Sequence, residues 1–436
     1  MKRFIVEKLL SWHNDHRRKP LILRGARQVG KTWAVKEFAR QQFQGRIHLL
    51  DFEKYPDLDK IFAPNLDTKR ILSELELFFN RPITPGEDLL FLDEIQSCPR
   101  AIMALRYFFE DLPDLSVIAA GSLLEFALKD ISFPVGRVEF LNLYPMTFVE
   151  FLIATDKDML AQKLVSNPLH LSENIHQMFL EQLRLYFFVG GMPECVKTYR
   201  DDGKLVNVFA IQENLIQAYR ADFAKYAPYS DKRCLNATLT NTAKAVGSQI
   251  KYSHLADSFS SATNKKAFEL LTMAQVVRKI PSTSAAGLPL GASASERKFK
   301  ALVLDIGLMQ SLCGLNVNEQ IFNKDLLGIY NGALAEQFVG QELLACGSEK
   351  LYYWARDAKS SSAEVDYLIE HNGEIIPLEI KSGAAGRLKS LHLLLKSYPD
   401  ISQGYVLSQR PYSELPEQKL IFMPLYAALI FGKKSM

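Results

Sequence analysis

Eight residues near the N-terminus, Gly25-Ala26-Arg27-Gln28-Val29-Gly30-Lys31-Thr32, set the frame for this chain. They match G-x-x-x-x-G-K-[S/T] in full. An apolar run, Leu21-Ile22-Leu23, precedes them, and a helical stretch from Trp33 to Phe43 follows. The glycines let the backbone curl until its N–H groups face a phosphate chain, and the helix start adds partial positive charge. Lys31 would neutralise the β- and γ-phosphates, and the Thr32 hydroxyl would reach Mg²⁺. The competing reading, a chance glycine-rich turn, does not account for strand, loop and helix occurring in that order.

Further apolar runs follow at His48 to Phe52, Leu89 to Leu92, Ser116 to Ala120 and Val138 to Leu141, with helical spans between them. Short buried strands alternating with helices predict a parallel, doubly wound α/β sheet. Leu89-Leu90-Phe91-Leu92 runs into Asp93-Glu94, which places Asp93 at the carboxyl end of a buried strand, where open α/β sheets bind ligands. Asp93 is expected to hold hydrated metal. Glu94 is expected to polarise a water for attack on the γ-phosphate, which favours hydrolysis over a kinase-type transfer. Ser122, after the next strand, is a candidate γ-phosphate sensor, with a helix N-cap as its alternative. Arg137 is a candidate arginine finger, with a plain surface arginine as its alternative.

The rest of the chain has no internal repeat and no charge block. It reads as helical from about 147 to 230, interrupted at Gly190-Gly191-Met192-Pro193, with short helices continuing to about 315 and a small-residue, mobile loop from Ser282 to Ser295. A helix from Leu334 to Ala345 then leads into strands at Leu351 to Trp354, Glu364 to Ile369, Ile375 to Ile380 and Gly404 to Leu407. Asn372-Gly373 marks a hairpin. Apolar residues make up 48% and charged residues 23%, which excludes a mainly disordered chain. Basic and acidic residues nearly balance, 52 against 49, so any nucleic-acid surface would be a local patch. The five cysteines form no CxxC pair, which argues against a disulfide framework or a structural zinc. No apolar run reaches the length of a membrane span, and Met1 to Ser11 lacks a secretory pattern, so the expected location is the cytoplasm, with no membrane contact.

In order, GARQVGKT, LLFLDEIQ, IAAGSLL, GRVEFLNLYPMTFVEFL and FVGGMPECV resemble the bacterial and archaeal AAA-type ATPases whose C-terminal half is a DUF4143 region. The resemblance runs over nearly the whole chain. It implies a P-loop AAA-type core over 1–160, a helical lid over 161–230, a winged-helix-like segment over 231–318, and a PD-(D/E)xK nuclease-like α/β domain over 319–436. It also implies ATP binding and self-association. Residues 252–271 read as two helices around a turn, with Asn264, Lys265 and Lys266 on a helix that would read DNA; a packing module is the alternative. Asp305-Ile306-Gly307-Leu308 resembles the family's DxGL strand-to-helix turn and is assigned structure only.

The C-terminal strands carry a second constellation. Glu379 and Lys381, two apart on a strand, project together, and Asp366 can face them across the hairpin. Asp366 with Glu379-x-Lys381 reproduces the D…(D/E)xK signature. Two carboxylates would hold Mg²⁺ for attack on a phosphodiester, with Lys381 orienting the water. Glu336, on the preceding helix, resembles the family's additional metal ligand. Ser382, Gly383, Arg387 and Lys389 form a small basic flank. The expected function is therefore a Mg²⁺-dependent ATPase coupled to a nuclease-like domain acting on DNA. The alternative is a nucleotide-gated switch whose C-terminal domain is inactive and docks a protein partner.

Overall fold

The structure is a computed structural model. It describes residues 1–436 except 123, 125–133, 135, 224–229, 315–331, 349, 357–362, 382–387 and 433–436. It divides into two compact units, residues 3–144 and residues 145–434.

In the first unit, β1 (Leu21–Arg24), β2 (Ile47–Asp51), β3 (Leu89–Asp93), β4 (Ser116–Gly121) and β5 (Glu139–Asn142) form one sheet in the order β2-β3-β4-β1-β5. Every pairing is parallel. β3 and β4 are buried at every position, as unbroken apolar runs in the middle of a parallel sheet require. The helices are α1 (Ile5–His13), α2 (Lys31–Gln42), α3 (Asp59–Phe62), α4 (Thr68–Phe79) and α5 (Pro99–Asp111). α2 buries Ala34, Val35, Phe38 and Ala39, a stripe at helical spacing. Asp67 caps α4 by accepting the Arg70 N–H, and Pro99 starts α5 where no N–H partner is needed.

The second unit opens with α6 (Phe148–Ala154), α7 (Asp158–Ser166), α8 (Glu173–Val189), α9 (Pro193–Asp202), α10 (Leu205–Asp222), α11 (Lys232–Lys244) and α12 (Ser261–Met273). Thr147 and Glu150 form a capping box on α6. After β6 (Val277–Thr283) and β7 (Phe299–Val303) come α13 (Ile306–Leu312), α14 (Ala333–Ala345), β8 (Tyr352–Ala355), β9 (Glu364–His371), β10 (Glu374–Ile380), α15 (Lys389–Ser397), β11 (Gly404–Ser408), β12 (Ser413–Leu415) and β13 (Leu420–Pro424). The eight strands make one mixed sheet, β12-β13-β11-β10-β9-β8-β6-β7. Asn372 and Gly373 both take positive φ, 50° and 80°, and turn β9 into β10 as expected.

Two sequence motifs meet in this unit. Gly190 has φ 72°, and a Cβ there would lie 2.2 Å from Asp305 Oδ1. The Gly191 N–H donates to Asp305 Oδ2 at 2.6 Å. Asp305 also caps α13, accepting the Gly307 and Leu308 N–H groups. The glycine pair is therefore the cradle of the DxGL aspartate.

Two expectations need correction. The helices expected up to about 315 give way to the hairpin β6–β7, whose side chains are mostly apolar and buried. That hairpin joins the C-terminal sheet through β6–β8 pairing. The loop expected to be mobile is tied down: Thr283 Oγ1 donates to the Leu290 carbonyl at 2.6 Å, the Leu290 N–H donates to Glu370, and Leu290 is buried. The five cysteines stand as thiols. Among the described residues, no helix is long and apolar enough to cross a membrane.

Candidate functional site

The glycine loop closes tightly over the sheet. Gly25 lies where a Cβ would come within 2.5 Å of the Leu143 carbonyl oxygen, so no larger residue fits. Gly30, at φ 96°, turns the chain into α2. Lys31, the first residue of that helix, is only 6% exposed; its Nζ donates to the Gly25 and Ala26 carbonyls, both at 2.9 Å. Burial pushes its pKa down to about 8, against the opposing pull of Glu94 and Asp93. The Thr32 hydroxyl donates to Asp93 Oδ2 at 2.7 Å, joining the loop to the end of β3. Burial pushes the Asp93 carboxyl up, and the Thr32 hydrogen bond offsets part of that. A hydroxyl and a carboxylate side by side, next to a phosphate cradle, are a donor set that fits Mg²⁺ bound with nucleotide oxygens and water.

Glu94 takes a left-handed backbone conformation, φ 49° and ψ 45°. Its Oε2 accepts from Gln96 Nε2 at 2.5 Å and from the Ser122 hydroxyl at 3.3 Å. Ser122 in turn accepts from Arg27 Nε at 3.3 Å, and Arg27 pairs with Glu53 at 2.6 Å. The loop, the end of β3 and the end of β4 thus share one polar chain. Gln28 and Val29 complete the turn, Gln28 at φ 63°. Arg137 is the exception. It precedes β5, which runs parallel to β1, so it lies at the strand starts, opposite the loop. There it pairs with Glu110 at 3.0 Å. The arginine-finger expectation does not hold within its own chain, because strand direction carries Arg137 away.

The C-terminal acids do come together, around a residue that no motif points to. Lys300, on β7, is 2% exposed. Its Nζ lies 3.0 Å from Glu336 Oε1 and 3.1 Å from Asp366 Oδ1, and it also pairs with Glu364 Oε1. Burial alone would push the ammonium down; Glu336, Asp366 and Glu364 outweigh it and hold Lys300 charged well above its usual range. Asp366 Oδ2 accepts the Ile380 N–H at 2.8 Å. Glu379 Oε1 accepts from Lys381 Nζ at 2.5 Å, while its buried Oε2 has no hydrogen-bond partner among the described residues. Burial, reinforced by Asp366, pushes Glu379 up.

Glu336, Asp366, Glu379 and Lys381 lie in one region of the sheet, with Lys300 among them. Lys300 occupies the inward oxygens of Glu336 and Asp366. Among the described residues, no group of three or more His, Cys, Asp or Glu side chains is arranged to hold a metal ion. Of the basic flank, Ser382, Gly383 and Arg387 lie outside the described residues.

The DNA-reading helix also differs from expectation. The stretch expected as its first helix is a short 3-10 turn, Tyr252–His254, ahead of α12. Asn264 is fully buried and donates to the Tyr252 and Ala256 carbonyls, so it builds the turn and reads nothing. Lys265 and Lys266 are exposed, and Lys265 sits 3.6 Å from Glu269.

Residues 17–152 match the family model of an AAA domain, residues 180–319 a domain of unknown function (DUF8612), and residues 331–427 a domain of unknown function (DUF4143). No curated protein matches. Among solved structures, a Walker-type ATPase of Pyrococcus abyssi is 17% identical over 71% of this chain and 95% of its own, with a TM-score of 0.43. The RuvB Holliday junction branch migration motor of Thermotoga maritima is 15% identical over 64% and 90%, at 0.31. Cdc6p of Pyrobaculum aerophilum is 12% identical over 63% and 85%, at 0.24. The N-terminal part of the chain is thus similar to AAA domains, and its C-terminal part to the DUF4143 region.

Proposed function

We propose that residues 3–144 bind ATP with Mg²⁺ and hydrolyse it. The observation that carries this reading is the contact between the Thr32 hydroxyl and Asp93 at 2.7 Å, beside a lysine already buried against the loop carbonyls. Lys31 exchanges those carbonyls for β- and γ-phosphate oxygens. Thr32 and Asp93 would hold the metal, which would neutralise charge on the phosphates. Glu94 orients the attacking water, and Ser122, bonded to Glu94 and to Arg27 of the loop, senses the γ-phosphate. Release of Glu94 from Ser122 and Gln96 is the rearrangement that readies it. Glu94→Gln keeps the shape and removes the basic oxygen, so ATP binding is retained while turnover falls by about 100-fold or more, the scale of general-base catalysis. Binding measured by fluorescent-nucleotide titration, alongside phosphate release, separates the two; wild-type turnover in the variant removes Glu94 from the mechanism.

For the C-terminal domain, metal-dependent cutting of DNA and a docking role are the two readings. Lys300 among Glu336, Glu364 and Asp366 favours the second: a nucleotide-gated switch whose nuclease-like acids do no chemistry. The expected result is that supercoiled plasmid stays intact under Mg²⁺ or Mn²⁺, with or without ATP. Cutting that disappears in Asp366→Asn restores the nuclease reading.

A further inference from the structure

The acids of the C-terminal sheet pose a charge problem. Glu336, Glu364, Asp366 and Glu379 bring four carboxyl groups into one region, and Glu336 and Glu379 are only 7% and 5% exposed. Buried carboxylates need a cation or must give up their charge. In a metal-using site the cation is a divalent ion held by oxygens at about 2.0–2.1 Å for Mg²⁺. Here the spacing differs. The oxygens of Glu336 and Asp366 stand 3.0 and 3.1 Å from one nitrogen, the separation of charge-assisted hydrogen bonds to an ammonium. Their remaining capacity is also spoken for on the Asp366 side, where Oδ2 accepts the Ile380 N–H.

The ammonium is not a chance visitor from the surface. Lys300 is the second residue of β7, paired with Ile280 of β6, and its Nζ lies 5.5 Å from the Tyr353 ring centroid. A divalent ion bound through these same Glu336 and Asp366 oxygens would have to expel a charged group that is 2% exposed and tethered to a sheet strand.

We propose that the Lys300 ammonium is the resident cation of this acid cluster, standing where a divalent metal would otherwise sit. The C-terminal acids are then a charge-balanced clasp that binds the β6–β7 hairpin to α14 and β9, and the domain takes up no metal there. Lysine supplies three donors and no Lewis acidity, so the cluster can orient a polar group but cannot activate a water as a metal does. One consequence is that deleting the ammonium while keeping the acids creates a divalent site.

This inference deepens the docking reading of the C-terminal domain and rests on it, yet the two fail separately. Plasmid cutting without metal uptake at the cluster ends the docking reading and leaves the role of Lys300 standing. Metal uptake without cutting does the reverse.

The test uses the full chain, stripped of metal and free of nucleotide, titrated with Mn²⁺ while free Mn²⁺ is read by electron paramagnetic resonance. Wild type and Asp366→Asn are expected to take up the same amount. Lys300→Met, which keeps length and loses charge, is expected to take up one more equivalent than wild type, and Asp366→Asn placed in that background is expected to abolish the gain. The proposal is overturned if wild type binds an equivalent that Asp366→Asn loses, or if Lys300→Met is folded by circular dichroism and gains none. Should Lys300→Met fail to fold, the wild-type and Asp366→Asn comparison decides alone.

Discussion

Lys31→Ala is expected to lower ATP turnover by about 100-fold or more, the scale seen when one preorganised charge is taken from a developing oxyanion. The size follows from where the charge sits. Lys31 is 6% exposed, so its ammonium has already left bulk water when the chain folds and is hydrogen-bonded to the Gly25 and Ala26 carbonyls. Triphosphate oxygens replace those two acceptors without a second desolvation cost, and they carry far more negative charge. The same burial brings the lysine down to about 8. A lysine with a lowered pKa loses its proton as pH climbs through that value, so nucleotide affinity should weaken above pH 8 in wild type. Alanine has no proton to lose, and its residual affinity should be flat over that range. Phosphate release at saturating ATP and Mg²⁺, with affinity followed from pH 7 to 9, checks both statements. Turnover within a factor of a few of wild type would remove the phosphate loop from the chemistry.

Legibility in the sequence tracked how local each feature is. The loop is eight consecutive residues, and Asp93-Glu94 follows directly on four apolar ones, so both sites and their strands could be read from neighbours along the chain. β3 and β4 were equally plain, because a strand buried on both faces leaves an unbroken apolar run. Lys300 was not legible. Its partners lie 36, 64 and 66 residues away, and a lysine inside Phe299–Val303 looks like the solvent side of an amphipathic element. Its strand and β6 were themselves absorbed into an expected helical stretch, since β pairing with β8 is a long-range event with no signal in a short window. Asn264 misled for a related reason: beside two lysines it resembles a base-reading residue, yet its amide satisfies two carbonyls of a turn. Arg137 was placed correctly in sequence and incorrectly in space, because proximity to a strand says nothing until the strand's direction is known.

Asp305→Ala is expected to be the most destabilising substitution in residues 145–434. Asp305 is fully buried, and its two oxygens accept from the Gly191 N–H at 2.6 Å, the Gly307 N–H at 2.9 Å and the Leu308 N–H at 3.2 Å. Alanine leaves all three donors buried and unpaired. At about 1–3 kcal/mol for each orphaned group, the loss reaches roughly 4 kcal/mol or more, beyond the range of most single substitutions. The fit is tight: a Cβ on Gly190 would lie 2.2 Å from the carboxylate, and one on Gly191 would lie 2.2 Å from the Met146 carbonyl oxygen. A lowered urea midpoint of the full chain checks this; an unchanged midpoint would show that the glycine pair and the DxGL turn are not held by this contact. Asp305→Asn adds a pH signature. Burial raises the native carboxyl to about 6 from an ordinary 3.8, so the folded state holds the proton more tightly than the unfolded one. The penalty for ionising it is fully present above pH 6 and fades as pH falls toward 4. Wild type therefore gains stability through this group between pH 7 and pH 5, by about 1 kcal/mol at 1.36 kcal/mol per unit. Asparagine has nothing to titrate, so its deficit relative to wild type should widen on acidification over that interval. A deficit that narrows would mean that Asp305 is held ionised by its three N–H donors more strongly than burial opposes it.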